Sequence, residues 1–351
     1  MVKYLPDMCD NLDSQRIPIT GSDRKTGSIP YYGASGVVDY VEKYIFDEEL
    51  LLVSEDGANL VMRNSPIAFS VSGKTWVNNH AHVLRFSDQW LRQYVELYLN
   101  SISLEPYITG TAQPKLNQQM LNNIPIPVPD ESQIRYIVTC TTCVHKLISL
   151  RKQQIAKLDE LVKARFVEMF GDPVSNPLKW KRQRLDSLCE NLDSRRIPIT
   201  SSERKAGIYP YYGASGIVDY VEGYIFDEDI LLISEDGANL VMRTTPIAFS
   251  VTGKVWVNNH AHVVRFDSMA TQKYIEVYFS LIDISGSITG TAQPKLNQEK
   301  LNAMMFCVPP LNLQNQFAAF VAQTDKQKLT IQQSLDKLEL MKKALMQKYF
   351  G

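Results

Sequence analysis

Residues 77–83 read VNNHAHV, and residues 257–263 repeat that stretch without a change, 180 positions further along the chain. Residues 109–118 read TGTAQPKLNQ and return at 289–298 with the same shift. This period is far longer than the roughly 20–50 residues of a solenoid repeat. The sequence therefore predicts two like domains related by a pseudo-twofold axis, an arrangement that suits a target with two-fold symmetry.

The bulk composition is typical of a globular protein. Of the 351 residues, 44% are hydrophobic and 21% are charged. No apolar run reaches the roughly 18 residues that a membrane span needs, and the N-terminus lacks the apolar core of a signal peptide. Five cysteines form an odd set, which favours reduced thiols over disulfides. We therefore expect a cytoplasmic protein.

The formal net charge is only −1. A protein that binds DNA alone is usually more basic, because neutralising phosphates supplies much of the affinity. A DNA-binding function would therefore require local basic patches, or a partner that shares the electrostatic contribution.

Each copy begins with a mixed region in which short strands alternate with turns. Strands are predicted at Glu49–Ser54, Pro66–Val71 and His82–Phe86. Each is a run of residues that favour β-strands, bounded by Gly, Pro, Asn or Asp residues that favour turns. From Trp90 to Tyr98, aromatic and apolar residues recur at the spacing of a helix. The proline-rich segment at 124–129 predicts an extended exit from the region.

Each copy ends in a long helix. No Pro or Gly occurs between Gln133 and Phe170, and Gly171 and Pro173 follow as stop signals. Apolar residues at coiled-coil spacing predict a seam in each helix; they are Ile155, Leu158, Val162, Phe166 and Met169, then Ile331, Leu335, Leu338, Met341 and Leu345. The simplest arrangement pairs the two helices antiparallel.

The predicted fold class is therefore α+β, with two mixed α/β domains joined by two long antiparallel coiled-coil helices. The predicted boundaries are 1–130 for the first domain, 131–171 for the first helix, 172–310 for a linker and the second domain, and 311–351 for the second helix.

These motifs resemble the specificity subunits of Type I restriction-modification systems over essentially the whole chain. The resemblance rests on the GTAQPKLN blocks at 110–117 and 290–297, PPL at 309–311 followed by Gln314, and FG at the end of both helices. It also rests on FGDP at 170–173, Asn176-Pro177 and Trp180. Two departures occur: PDESQ at 129–133 lacks the second Pro and the Leu, and the N-terminus lacks a counterpart of Trp180.

The resemblance implies that the mixed domains are target recognition domains and that the helices are spacers. It implies a bipartite double-stranded DNA site, with one half read by each domain and a gap set by the helices. It also implies docking of methyltransferase subunits, with two expected, and through them of restriction and translocase subunits. Since the sequence shows no cofactor loop after a strand and no methyl-transfer signature, we also expect a non-catalytic chain with no cofactor and no metal.

Base edges are read chiefly by Arg, Lys, Asn and Gln, and phosphates are bound by Lys, Arg, hydroxyls and amides. Three segments combine such residues with Gly or Pro. The candidate DNA-binding residues in the first copy are Arg24, Lys25, Tyr31, Tyr32, Arg63, Lys74, Asn78, Asn79, His80, Gln113 and Lys115. Their counterparts are Arg204, Lys205, Tyr211, Tyr212, Arg243, Lys254, Asn258, Asn259, His260, Gln293 and Lys295.

Each segment also has a structural interpretation. The tyrosine pair could be core residues of a turn, and one histidine of residues 80–82 could be buried, because His82 begins an alternating strand. The loop at 109–115 could tie the domain to its helix, and Arg63 and Arg243 could form exposed salt bridges.

Other chemistry has weak support. Residues 72–75 read SGKT, but the Gly that a phosphate-binding loop needs is Ala68, and the second copy has Val255 in place of the hydroxyl. His80 and His82 lack a third zinc ligand at recognisable spacing. Asp56 and Asp236 lie in Asp-Gly turns. Two alternatives stay open: a self-sufficient nuclease or methyltransferase that uses the Asp56 and His80 regions, and a coiled-coil scaffold that binds protein.

Among the differences between the two copies are positions that we expect in loops: Gln15 against Arg195, Asn64-Ser65 against Thr244-Thr245, and Thr75 against Val255. Near identity elsewhere predicts that both domains read the same or nearly the same half-site. The whole target should then be close to an interrupted palindrome, with half-site centres about one helical turn or somewhat more apart.

Overall fold

A computed structural model describes residues 1–110, 113–290 and 292–351. The chain divides into two compact units: residues 1–150 with 335–351 form the first unit, and residues 151–334 form the second. Thr111 and Ala112, and Thr291 in the second copy, belong to the loops predicted to bind DNA and lie outside the described residues.

The strands follow the same order in both units. In the first unit they are β1 (Val2–Lys3), β2 (Asp10–Asn11), β3 (Thr26–Gly33), β4 (Gly36–Val41), β5 (Phe46–Asp47), β6 (Leu50–Ser54), β7 (Ala68–Val71), β8 (Lys74–Val77), β9 (Ala81–Arg85) and β10 (Ile126–Pro127). In the second unit they are β11 (Lys181–Arg184), β12 (Cys189–Asn191), β13 (Ala206–Gly213), β14 (Gly216–Val221), β15 (Phe226–Asp227), β16 (Ile230–Ser234), β17 (Ala248–Val251), β18 (Lys254–Val257), β19 (Ala261–Phe266) and β20 (Met305–Val308).

Short helices connect the strands, and a long helix closes each half of the sequence. The helices are α1 (Asn59–Met62), α2 (Gln89–Ser101), α3 (Gln118–Asn122), α4 (Glu131–Phe170), α5 (Asn239–Met242), α6 (Met269–Leu281), α7 (Gln298–Ala303) and α8 (Leu311–Phe350). Within the described part of the chain, no helix is both long enough and apolar enough to cross a membrane.

Each unit contains two four-stranded sheets. In the first unit their strand orders are β2-β9-β6-β7 and β4-β3-β8-β5, and in the second they are β12-β19-β16-β17 and β14-β13-β18-β15. The first sheet of each unit is antiparallel, whereas β3 runs parallel to β8 and β13 runs parallel to β18. The fold class is therefore α+β with two repeated domains, as predicted.

Strand β6 explains the layering of the first unit. Its run LLLVS is buried on both faces, as expected for a strand covered on each side. Leu51 and Val53 face a core that α2 and the start of α4 complete. Leu50 and Leu52 face a second core shared with Phe46 of the other sheet. Thr75, which we expected in a loop, is instead buried in β8, because β8 is an inner strand of that sheet.

The long helices run antiparallel within each unit. In the second unit, Nζ of Lys328 lies 2.5 Å from Oδ1 of Asp159, and the rings of Phe166 and Phe317 have centroids 5.5 Å apart. Val162, Phe166 and Leu335 are buried as the seam predicted, but Met341 is 52% exposed. The seam prediction is therefore wrong at Met341, whereas Leu345, also predicted, is partly buried.

Gly171 follows the last residue of α4 with a φ of +77°. This left-handed conformation favours glycine and ends the helix, which confirms the stop predicted there.

Candidate nucleic-acid interface

Two of the three predicted segments meet at the end of β6. The amide of Glu55 donates to the carbonyl of His80 at 2.9 Å, and the amide of Leu116 donates to the carbonyl of Glu55 at 2.7 Å. Asp56 also forms an isolated bridge with Lys115. Residues 55–57 therefore lie between the histidine turn and the end of the 109–115 loop. The same bonds join Glu235, His260 and Leu296 in the second unit.

We call the contact of residues 55–57 with the turn at 78–82 and the end of the 109–115 loop the junction. A buried histidine stabilises it. Nδ1 of His82 lies 2.5 Å from Oδ2 of Asp13, and its Nε2 lies 2.7 Å from the carbonyl oxygen of Leu116. A carbonyl oxygen only accepts, so Nε2 donates to Leu116, while Nδ1 forms a hydrogen bond with the Asp13 carboxylate. The imidazole is only 1% exposed, so both of its polar atoms are satisfied inside the protein. His262, Asp193 and Leu296 repeat the arrangement.

The pKa of Asp13 reflects these contacts. Burial raises it, but the hydrogen bond and charge of His82, the amide of Val83 and the charge of Arg16 outweigh burial and hold the pKa below its ordinary value. The pKa of Asp193 is lowered for the same reasons.

Glu55 connects the junction to two cations. Its carboxylate accepts from Nη1 of Arg16 at 2.6 Å and lies 3.1 Å from Nζ of Lys115. Arg16 also donates to the carbonyl of Ala81 at 2.8 Å. Burial raises the pKa of Glu55, yet the bonds from Arg16 and Lys115 and the charge of His82 bring it below the ordinary value. Arg196, Glu235 and Lys295 form the same set.

Sequence reasoning did not select Asp13, Arg16 or Glu55 as site residues. The signal that could have found them is their presence in both copies: LDS recurs at 12–14 and 192–194, RIPIT at 16–20 and 196–200, and SEDGAN at 54–59 and 234–239. Identical polar residues in both copies point to partners that both copies share.

The exposed groups lie around this junction. His80 is about half exposed, and its Nδ1 lies 2.8 Å from Oδ2 of Asp56. Asn79, Gln113 and Lys115 are exposed. Asn78 is buried, and its Oδ1 accepts from the amide of His80 at 2.8 Å, so it shapes the turn and does not face solvent. Asn259, His260, Gln293 and Lys295 are exposed in the second unit, and Asn258 is buried.

The first predicted segment has both buried and exposed members. The ring of Tyr31 is 1% exposed, and its hydroxyl accepts from the amide of Ile19 at 3.0 Å. Arg24 covers that ring at 4.4 Å and pairs with Asp39. Lys25 is exposed. A buried ring cannot reach DNA without local unfolding, so Tyr31 and its equivalent Tyr211 support the sheet from inside.

The remaining members of this segment follow the same pattern. Tyr32 is half-buried against Phe69, with ring centroids 6.1 Å apart. In the second unit Arg204 covers Tyr211 at 4.6 Å, and Tyr212 packs against Phe249 with centroids 6.0 Å apart. Lys205 is exposed like Lys25.

Arg63 acts on the end of a helix. Its guanidinium donates to the carbonyls of Leu99 and Ile102, at 3.3 and 2.6 Å. These carbonyls lie where α2 ends and have no partner further along the helix. Arg243 does the same for α6 through Phe279 and Ile282. Neither arginine forms the exposed salt bridge considered above. Two donors of each guanidinium therefore hold the end of a helix.

Lys74 and Lys254 remain at the surface. Each ammonium group lies 4.8 Å from the centre of a tyrosine ring, that of Tyr44 or Tyr224. Both lysines are exposed, so each can also contact a phosphate.

Asp13, Glu55 and His82 bring ligand-type atoms within 4.8 Å of one another, as do Asp193, Glu235 and His262. Such a group could in principle hold a cation. Here the Arg16 guanidinium already lies against both carboxylates and supplies positive charge to them. We therefore assign the cluster a structural role.

Comparison with known proteins agrees with this architecture. The sequence model of the family described as "Type I restriction modification DNA specificity domain" matches residues 1–160 and 177–340. A Haemophilus influenzae protein named as a type I restriction enzyme specificity subunit is 25% identical over 383 residues, covering 98% of this chain and 94% of that protein.

Two solved structures share the fold. The crystal structure of the S subunit of a type I restriction-modification system from M. genitalium superposes with a TM-score of 0.68 at 12% identity, covering 100% of this chain and 96% of that one. A second solved structure is described as concerning the structural basis of complex assembly and conformational transition of the type I restriction-modification system. It superposes with a TM-score of 0.50 at 14% identity, covering 100% of this chain and 97% of that one.

The matched family is defined by DNA specificity, and its role in a restriction-modification complex is recognition and not catalysis. On the match to 1–160 and 177–340, the chain belongs to the family of type I restriction-modification DNA specificity subunits.

Proposed function

We propose that each domain reads one half of a bipartite, nearly palindromic DNA site. In this proposal residues 1–130 and 172–310 carry the two recognition domains, and residues 131–171 and 311–351 carry the helices that set the gap. The proposal extends the family's DNA-specificity role to the form of the target.

The proposal is supported mainly by one observation: equivalent candidate side chains in the two units are exposed to solvent to the same degree. His80 and His260 are 49% and 51% exposed, and Lys115 and Lys295 are 50% and 51% exposed. Two surfaces with the same groups at the same exposure bind the same chemistry, so they favour like half-sites.

The contact set that we propose contains the exposed members of the candidate list. They are Lys25, Lys74, Asn79, His80, Gln113 and Lys115, with Lys205, Lys254, Asn259, His260, Gln293 and Lys295. Asn79 and Gln113 suit base edges, because an amide can both donate and accept. The lysines suit phosphates, which position a protein without reading sequence.

We propose that the outer faces of α4 and α8 dock methyltransferase subunits, two per chain, and through them restriction and translocase subunits. The net charge of −1 supports a shared interface. A nearly neutral chain releases few counterions by itself, so partners would supply part of the phosphate contacts.

The proposal is tested by selecting bound oligonucleotides from a random pool with the chain reconstituted with its methyltransferase subunits. We expect an enriched site with two related, inverted half-sites and a fixed gap. Two unrelated half-sites would contradict the proposal. A matched control carries Lys115→Ala and Lys295→Ala, which should weaken binding without altering the enriched sequence.

A further inference from the structure

We propose that the hairpin β3–β4, and its repeat β13–β14, enters the major groove and that Val38 and Val218 contact thymine methyl groups there. The inference rests on the proposed function and adds which element reads bases and which chemical group it reads.

The hairpin presents apolar side chains to solvent. Strand β4 lies at the edge of its sheet, and Val37, Val38 and Tyr40 are 45%, 56% and 53% exposed. In the second unit Ile217, Val218 and Tyr220 are 47%, 55% and 51% exposed. An exposed apolar edge is a liability that proteins usually avoid, so its presence in both units indicates a binding surface.

This surface is continuous with the proposed DNA contacts. A Cβ placed on Gly33 would lie 3.0 Å from Cγ1 of Val38 and 3.4 Å from Nδ2 of Asn78. Val38 therefore flanks the residue whose Oδ1 holds the amide of His80. At the hairpin tip, the hydroxyl of Ser54 donates to the carbonyl of Ala34, which ties the hairpin to the turn that carries Glu55 and Asp56.

The edge is poorly suited to adding a strand from another protein. The amide of Tyr40 already donates to Oδ1 of Asp39 at 2.8 Å, so one backbone donor of the edge is satisfied. The Asp39 carboxylate also stands beside the strand as a charge, and charged edges disfavour strand pairing. Tyr220 and Asp219 repeat this contact at 2.8 Å.

Arg24 pairs with the Asp39 carboxylate of this hairpin, and a second basic residue follows it. The exposed Lys25 lies beside the far end of β4, where its carbonyl accepts from the amide of Glu42 at 3.1 Å. Its ammonium group can therefore reach a phosphate at the rim of a groove. Strand β3 is also paired with β8, so the edge strand β4 is the part of the hairpin that would meet the groove, and the thymine methyl is the apolar feature of the major groove. Val38 then reads A·T pairs by burying a methyl group.

The test uses the reconstituted complex and its selected site, with each thymine replaced in turn by deoxyuridine, which lacks only the methyl group. We expect about a fourfold loss of affinity at one or more equivalent positions in each half-site, since burying one such group contributes about 0.8 kcal/mol. The variant Val38→Ala with Val218→Ala should bind the thymine site more weakly and no longer distinguish thymine from uracil.

Val174→Ala is the matched control, because Val174 is 65% exposed but lies in the linker; this variant should keep the full discrimination. If no specific site is enriched, the proposed function fails. If a site is enriched but has no A·T pair, or no uracil substitution lowers affinity, or the Val38 and Val218 variant still discriminates, this inference is overturned while the proposed function stands.

Discussion

The ring of Phe350, the last residue of α8, packs against Tyr94 of the first unit with ring centroids 5.5 Å apart. Phe170, the last residue of α4, packs against Tyr274 of the second unit at 4.9 Å. Phe350 is the counterpart of Phe170, and Tyr94 is the counterpart of Tyr274, so each ring packs in the unit that holds the end of its helix. Each long helix therefore ends by placing an aromatic ring against the core of a unit. In the first unit the hydroxyl of Tyr94 in turn donates to the carbonyl of Pro127.

Replacing these terminal rings should destabilise the protein unequally. Phe170 is 2% exposed and also contacts Phe166 and Phe317, so Phe170→Ala should destabilise the folded state by about 3–5 kcal/mol, as for a buried Phe. Phe350 is only half-buried, so Phe350→Ala should have a smaller effect. Urea unfolding followed by circular dichroism measures both. Equal midpoints for the two variants would contradict the packing described.

Substitutions at Lys115 and Arg63 should affect two different properties, DNA binding and the stability of the end of helix α2. Lys115→Ala should weaken binding of all DNA sequences and reduce the salt slope by about one, because it removes one phosphate contact. Arg63→Ala should lower stability by about 1–2 kcal/mol, since the carbonyls of Leu99 and Ile102 lose a charged donor. Titrations at several salt concentrations and thermal melts measure the two effects. A changed salt slope in Arg63→Ala would argue that this guanidinium binds phosphate.

Gly110 should be intolerant of substitution. Its φ is +81°, and a Cβ there would lie 2.6 Å from the carbonyl oxygen of Gln113. Gly110→Ala should therefore strain the loop by about 1–3 kcal/mol and reduce DNA affinity by displacing Lys115. Gly21→Ala is the control, because a Cβ on Gly21 meets no atom within 4 Å. Comparable DNA affinity in both variants would mean that the loop shape is unimportant for binding.

The buried junction should make stability depend on acid pH. The folded-state pKa values of Asp13 and Glu55 lie below their ordinary values of 3.8 and 4.5. Their contribution is therefore fully present above about pH 4.5 and is lost as the pH falls through the lower folded-state values. Asp13→Asn should flatten this part of the curve. Urea midpoints measured between pH 3 and 7 test it, and an unchanged slope in the variant would contradict the role of Asp13.

Local sequence patterns predicted several elements because their causes are local. The apolar run at 50–54 became β6, the spacing from Trp90 to Tyr98 became part of α2, and Gly171 ended α4. The position of Met341 was not predictable in this way. Apolar spacing defines a stripe on an isolated helix, whereas the partner helix decides which part of that stripe is covered.

The candidate site was less accessible to sequence reasoning. Residue type and neighbouring Gly or Pro suggested Arg63, Tyr31 and His80 as contacts, yet Arg63 caps a helix, Tyr31 is buried and His80 is half exposed. Their partners are remote in sequence: Arg63 contacts Ile102, 39 positions away. Composition and spacing do not encode which remote atoms a side chain meets.

The sequence by itself determined that there are two like domains and two long helices, because identity over long blocks requires equal folds and helical spacing is a local property. Only the tertiary structure decided which repeated polar residues face solvent. His80 and His82 are two positions apart, yet one is half exposed and the other is buried against Asp13, 69 positions away. The physical reason is that burial of a polar ring requires hydrogen-bond partners, and here folding alone brings the carboxylate of Asp13 and the carbonyl of Leu116 to it.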